Sequence, residues 1–189
     1  MTVFQKELIR KSTHTGGLIF LPLLFYKPLL FSALFLFFLL IYLIVEWADR
    51  KNISIPLLTW ITHTSKRENE KNQLAWGAIL LSLSCVILPL IFQPQIVALA
   101  LTQTFTADAA AALAGMTWGK TKIPFTHNKS WVGSGVYWIS AFLVSLIWVS
   151  PLESMILASA GCVIEVLSRK NIDNIAIPLG ISFLASFFR

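Results

Sequence analysis

Residues 28–47 read PLLFSALFLFFLLIYLIVEW, and no charged side chain interrupts them before Glu46. About 20 consecutive apolar residues are what an α-helix needs to cross the hydrocarbon core of a bilayer. Working outward from this run, further apolar stretches recur along the chain, separated by Pro, Gly and clusters of charge. Of the 189 residues 56% are hydrophobic, only 13% are charged, and the mean hydropathy is +0.73. A soluble domain carries about 25% charged residues. The period-two alternation of an outer-membrane barrel is absent. The fold class predicted is all-α: a polytopic transmembrane helical bundle, a single integral membrane domain over residues 1–189.

Seven spans are predicted: Leu8–Tyr26, Pro28–Trp47, Leu74–Phe92, Gln95–Met116, Val132–Val149, Leu152–Leu167 and Ile172–Phe188. Threading the chain through a membrane in this order places all but two of its 15 basic residues on one side. Those on that side are Lys6, Arg10, Lys11, Arg50, Lys51, Lys66, Arg67, Lys71, Lys120, Lys122, Lys129, Arg169 and Lys170; the exceptions are Lys27 and Arg189. The positive-inside rule makes the rich side cytoplasmic, with the N-terminus in and the C-terminus out. The net charge of +6 therefore reads as a topology signal rather than a nucleic-acid surface. The N-terminal stretch is followed by neither a small-residue cleavage site nor a soluble body, so it reads as a retained first span. With no organelle transit peptide evident, the expected location is a prokaryotic plasma membrane. Cys85 and Cys162 fall in apolar runs and read as small buried side chains. The segment ISIPLLTWITHT (residues 53–64) reads either as an amphipathic interfacial helix or as a surface loop.

Ionisable groups inside spans are costly and are usually functional. Here Arg10, Lys11 and His14 stand at the start of the first span, Glu46 ends the second, and Asp108 lies about two turns from the exit of the fourth. Glu165 closes the sixth, and Asp173 and Asn174 open the seventh. All fall towards the same side, where nucleotides are. Each also has a plainer reading. Arg10 and Lys11 serve as topology charges, His14 as a core histidine, and Asp173 and Asn174 as helix caps. Ala111, Ala112, Gly115 and Gly119 share the face of Asp108 and suit close helix packing. That packing does not account for the carboxylate, which suits a Mg²⁺ ligand or an acceptor of a hydroxyl proton.

GMTWGKT (residues 115–121) has three residues between its glycines where a P-loop has four, and it follows a membrane helix rather than a strand. A P-loop NTPase is excluded, although glycine-flanked backbone N–H groups and Lys120 remain suited to phosphate. HNKSWVGSG (residues 127–135) reads as an N-cap at Ser130 with a topology charge at Lys129, or as an anion site at a helix start with Gly133 and Ser134.

Five elements, in order, resemble the CTP-dependent lipid kinases, the family of dolichol kinase, phytol kinase and the CTP-using diacylglycerol kinase of fungi. They are ELIRKSTH, SKRENE followed by WGAILL, DAAAALAGMTWGKTKIP, NKSWVGSG and VIEVLSRKNIDNIAIPL. The resemblance covers nearly the whole chain. It implies phosphoryl transfer from CTP to a membrane lipid alcohol, either an isoprenoid alcohol or diacylglycerol, and it implicates Arg10, Lys11, Asp108 and Gly115 in activity. CDP-diacylglycerol synthases share the middle block, but they end in an Asp-Arg-x-Asp signature where this chain has IDNIAIP.

On this reading CTP lies between the 117–134 loop and the start of the first span, cradled by Gly115, Gly119, Ser130, Gly133 and Ser134. Lys120 and Lys129 neutralise the triphosphate, and Arg10 and Lys11 act on the transferred phosphate. Mg²⁺ sits at Asp108 with Glu165 or Asp173, and Asp108 or His14 takes the hydroxyl proton. The rival readings are a cytidylyltransferase and a non-enzymatic transporter or scaffold. A transporter would carry its polar groups nearer the midplane.

Overall fold

A computed structural model describes residues 2–53, 55–66, 73–126 and 129–188. Residues 67–72, His127, Asn128 and Arg189, which enter the charge map and motifs above, lie outside the described residues. The chain is helical almost throughout. In order come α1 (Val3–Gly16), a 3₁₀ turn (Gly17–Phe20), α2 (Leu21–Tyr26), α3 (Pro28–Arg50) and α4 (Pro56–Ser65). Then follow α5 (Trp76–Ile91), α6 (Pro94–Thr117), α7 (Trp131–Ser145), α8 (Pro151–Leu167) and α9 (Asp173–Ala185).

Local chemistry sets most of the boundaries. Pro28, Pro56, Pro94 and Pro151 each stand at a helix start, where the missing N–H costs nothing and φ is preset. Capping boxes close two N-termini, Thr2 with Gln5 at α1 and Ser150 with Glu153 at α8. Glu153 is thus occupied in a cap.

Two departures from the predicted spans have physical causes. The first span is not one helix but α1, a 3₁₀ turn and α2. Pro22 has no N–H to give the Leu18 carbonyl, so the ladder tightens there and the Leu21 N–H bonds Leu18 instead. Gly17 adds room at the break: a Cβ there would stand 2.7 Å from the Phe105 ring. The segment with two readings forms α4, packed on α3 and α1.

α6 is the axis of the fold. It packs against α1, α2, α5, α7 and α9 and is buried on both sides. Ile96, Leu99, Ala100, Ala107 and Ala111 meet Tyr137, Ala141, Leu157, Ile177 and Ile181 from α7, α8 and α9. Val97, Ala98, Leu101 and Phe105 meet Leu21, Leu24, Phe31, Phe35, Cys85 and Leu88 from α2, α3 and α5. A helix apolar all round is one surrounded by others. α3 is the opposite case, with most of its length exposed, including Leu29, Leu30, Phe37, Leu40, Ile44 and Trp47. So large an apolar face needs a non-aqueous neighbour. α3 and α6 are long and apolar enough to cross a membrane, whereas the helices Trp76–Ile91, Trp131–Ser145 and Asp173–Phe188 are apolar but shorter.

Candidate active site

The C-terminal end of α6, the N-termini of α7 and α9, the C-terminal end of α8 and the middle of α1 meet at one end of the bundle. They enclose a cavity of 410 Å³. Its charged lining is Glu7, Arg10 and Lys11 from α1, Asp108 from α6, Lys122 and Lys129 from the α6–α7 loop, Glu165 from α8 and Asp173 from α9. Among the described residues, cations and carboxylates are therefore balanced and interleaved. Arg10 Nε donates to Glu7 at 3.0 Å, and a second guanidinium nitrogen also bonds that carboxylate. Lys11 Nζ donates to Asp108 across 97 residues of sequence. Lys129 Nζ bridges Glu165 and Asp173, the latter at 3.4 Å. Ser134 Oγ donates to Glu165 at 3.2 Å. Burial alone would lower the Lys129 ammonium pKa, but the Glu165 and Asp173 carboxylates outweigh it and hold the value above the ordinary lysine range. Lys129 therefore stays cationic at neutral pH.

The glycines bring the backbones together. A Cβ on Gly133 would lie 3.1 Å from the Ala111 carbonyl and 3.4 Å from Gly115 Cα, and one on Gly115 would lie 3.1 Å from Ser130 Oγ. One on Gly119 would collide with Ser130 and with the Gly115 carbonyl. The small-residue stripe thus serves close α6–α7 packing and, by the same token, leaves the cavity floor open. Ser130 caps α7, accepting from the Gly133 N–H at 3.1 Å. The loop before it folds back as a single antiparallel bridge, Lys122 to Ser130, with the Ile123 N–H bonded to the Lys129 carbonyl at 2.9 Å. That bridge carries Lys122 into the cavity wall.

Of the residues singled out in the sequence, Arg10, Lys11, Asp108, Gly115, Gly119, Lys129, Ser130, Gly133, Ser134, Glu165 and Asp173 all line this one cavity. His14 and Lys120 do not line it. Lys120 is exposed, and Lys122 stands where it was expected. Glu46 is also elsewhere. It forms a separate buried pair with Lys66 at 2.6 Å, tying the end of α4 to α3, with Arg50 at 3.8 Å. Asn174 supports rather than lines: its side chain faces Gly77 of α5, and its carbonyl accepts from Ser84 Oγ at 3.0 Å. Asp173 does not cap α9 conventionally, since the N-cap position is Ile172. Glu7 and Lys122 were not singled out from the sequence. Glu7 was discoverable as the partner one turn before Arg10. No local signal marks Lys122, because a tertiary bridge places it.

Among the described residues no group of three or more His, Cys, Asp or Glu is gathered as a metal cluster. Asp108 faces Lys11, while Glu165 and Asp173 share Lys129. Cys85 is buried and Cys162 half-buried, both free thiols.

Four of the five ordered motifs supply walls of this cavity. The remaining one reaches it indirectly, through Gly77 against Asn171 and Asn174. The chain is similar to proteins named phytol kinase. It is 29% identical over 138 residues to a probable chloroplastic phytol kinase of Triticum aestivum, covering 63% of this chain and 46% of that one. It is 29% identical over 140 residues to probable phytol kinase 1, chloroplastic, of Oryza sativa subsp. japonica, covering 64% and 44%. It is 34% identical over 88 residues to the phytol kinase of Synechocystis sp., covering 41% and 38%. These alignments span less than half the length of the curated relatives. No protein-family profile and no solved structure matches. Homologues named phytol kinase thus support the resemblance to CTP-dependent lipid alcohol kinases drawn from the motifs. The wheat and rice relatives are named chloroplastic, so the expected prokaryotic plasma membrane finds no support in them.

Proposed function

We propose that this chain phosphorylates a membrane lipid alcohol, with CTP as donor and an isoprenoid alcohol as acceptor. The observation that carries the reading is the meeting of Lys11–Asp108 and Lys129–Glu165–Asp173, from distant parts of the sequence, in one glycine-floored cavity. The homologues named phytol kinase support a phosphotransferase acting on such an alcohol.

In the transfer, the lipid oxygen bonds the γ-phosphorus of CTP as the bond from that phosphorus to the β-bridging oxygen breaks. CDP leaves with the electron pair. Such transfers demand positioning and charge neutralisation above all. Arg10 and Lys11 take the transferred phosphoryl group, while Lys122 and Lys129 hold the remaining phosphates. Asp108 accepts the hydroxyl proton, because it lines the cavity and His14 does not. Ser130 and the α7 N-terminus add backbone donors to an anion lying there.

A balanced cavity is a poor trap for a bare triphosphate: its cations are already matched by carboxylates. Glu165 and Asp173 are hard oxygen donors, and Mg²⁺ binds through one or two carboxylates plus substrate phosphates. These two residues would hold the metal, which would supply neutralisation of phosphate charge and release Lys129 to the nucleotide. We further propose seven membrane spans, with the cavity opening on the face rich in basic residues, cytoplasmic by the positive-inside rule. Exposed α3 and the gathering of polar groups at one bundle end support this arrangement over a transporter's midplane site.

The test is incubation of the purified chain with Mg²⁺ and CTP labelled at the γ- or the α-phosphate, with a panel of lipid alcohols. Label passing from the γ-position to an isoprenoid alcohol is the expected result. Transfer of the α-label instead would make the chain a cytidylyltransferase, and neither transfer nor CTP binding would overturn the reading.

A further inference from the structure

Lys11 lines a second cavity as well. This one measures 510 Å³ and lies between α1 and α6, on the outer side of the wall that closes the first. The two cavities divide the same helices between them. On α6, Asp108 and Ala112 face the polar cavity, while their neighbours Ala109 and Leu113 face the second. On α1 and the 3₁₀ turn, Arg10 faces only the first, whereas Ser12, Gly16 and Leu18 face only the second. Lys11 is the shared residue. Its ammonium is held by Asp108 on the polar side, which leaves its stem to line the other. The second cavity is therefore a groove that runs from Leu8 to Ile19, polar at Lys11 and Ser12 and apolar at Leu18 and Ile19. Lys11 and Leu18 lie about 10 Å apart along the helix.

We infer that this α1–α6 groove holds the hydrocarbon chain of a single-chain alcohol, with its hydroxyl at the Lys11–Asp108 pair. The inference rests on the proposed function for the identity of the head group, and it adds the place and number of chains. Ligand pockets run from about 300 to 1,000 Å³, and the groove falls within that range. It is one strip between two helices, so it accepts one chain and selects against a two-chain glyceride. It shares Lys11 with the charged cavity, which distinguishes it from the exposed apolar face of α3, whose ion pair at Glu46 lies apart from that cavity.

Gly16 makes the groove testable. A Cβ on Gly16 meets nothing within 4 Å, and its backbone is ordinary right-handed helix at φ −55°. Gly16→Phe therefore adds its Cβ without a clash and places a ring at a residue that lines the groove. Gly135→Phe, equally unobstructed but on the exposed side of α7, is the control. The full chain in lipid nanodiscs is illuminated with a diazirine-bearing C20 isoprenoid alcohol, and the labelled peptides are mapped. Label should fall on α1 and α6 and be competed by unlabelled C20 alcohol but not by excess phospholipid or diacylglycerol. Gly16→Phe should cut it tenfold or more, and Gly135→Phe should leave it. Label spread over α3, competed equally by phospholipid, would mean bulk lipid only and would overturn the groove, as would undiminished labelling in Gly16→Phe. This readout needs no turnover. Labelling as expected in a chain that transfers no γ-phosphate would sink the kinase reading and keep the groove. Transfer to the C20 alcohol at an undiminished kcat/KM in Gly16→Phe would do the reverse.

Discussion

Asp108 and Lys11 are each other's condition for being buried. A carboxylate in an apolar helix axis is tolerated only with a partner, and removing one member of such a pair costs about 3–5 kcal/mol by stranding the other. Lys11→Met should therefore lower the thermal midpoint in detergent, and adding Asp108→Asn should restore part of it. A double variant no more stable than Lys11→Met would show that the pair is not the cause. Asp108→Asn alone should also lower the midpoint by stranding Lys11, and its folded fraction should lose about 100-fold or more of γ-phosphate transfer, the range of a general base. Near-normal turnover in a folded Asp108→Asn protein would remove the carboxylate from the chemistry.

At the scale of elements, the junction of α6 with α7 decides whether the cavity exists. Gly119→Ala forces a methyl into Ser130 and the Gly115 carbonyl, an overpacking that costs about 1–3 kcal/mol. Gly135→Ala has open space around it and should be neutral or stabilising by up to about 1 kcal/mol, as for glycine within a helix. Thermal unfolding of the two variants side by side checks the assignment; equal effects would contradict the packing described. Ser130→Ala removes the bond to the Gly133 N–H and should cost about 1 kcal/mol as a lost N-cap. The break between α1 and α2 belongs to this scale as well. It lets α1 lie along the polar end of α6 while α2 packs in the apolar core, and its cause is Pro22 with the glycine beside Phe105.

For the whole molecule, charge and apolar surface point the same way. The basic residues lie at the connections on one side of the predicted spans, and the cavity gathers helix ends at one end of the bundle. A cysteine placed at exposed Phe125 should react with a membrane-impermeant thiol reagent from the same side as a tag on the N-terminus. A reporter at Arg189 should report the opposite side. Agreement of all three on one side would overturn the seven-span topology. Because the cavity is charge-balanced, chelation of Mg²⁺ should weaken CTP binding by tenfold or more in an equilibrium titration. Metal-independent binding would place the nucleotide's charge on the lysines alone.

The sequence by itself determined what depends on local pattern. Apolar runs of bilayer length, proline-started helices and the order of five motifs located most helices to within a few residues, save for the start of α1 at Val3, the break at Pro22 and α4, which the pattern left open between helix and loop. They also identified eleven of the residues that line the cavity. The tertiary structure decided what depends on who faces whom. It separated Lys122 from Lys120, because a backbone bridge to Ser130 sets Lys122, though still exposed, at the cavity wall and leaves Lys120 off it. It withdrew His14 from the cavity and paired Glu46 with Lys66. It also set Lys11 against Asp108 at the boundary between a charged chamber and an apolar groove. Periodicity along one helix gives a residue's face, but the side chain of another helix that fills or closes that face is chosen only when the bundle packs.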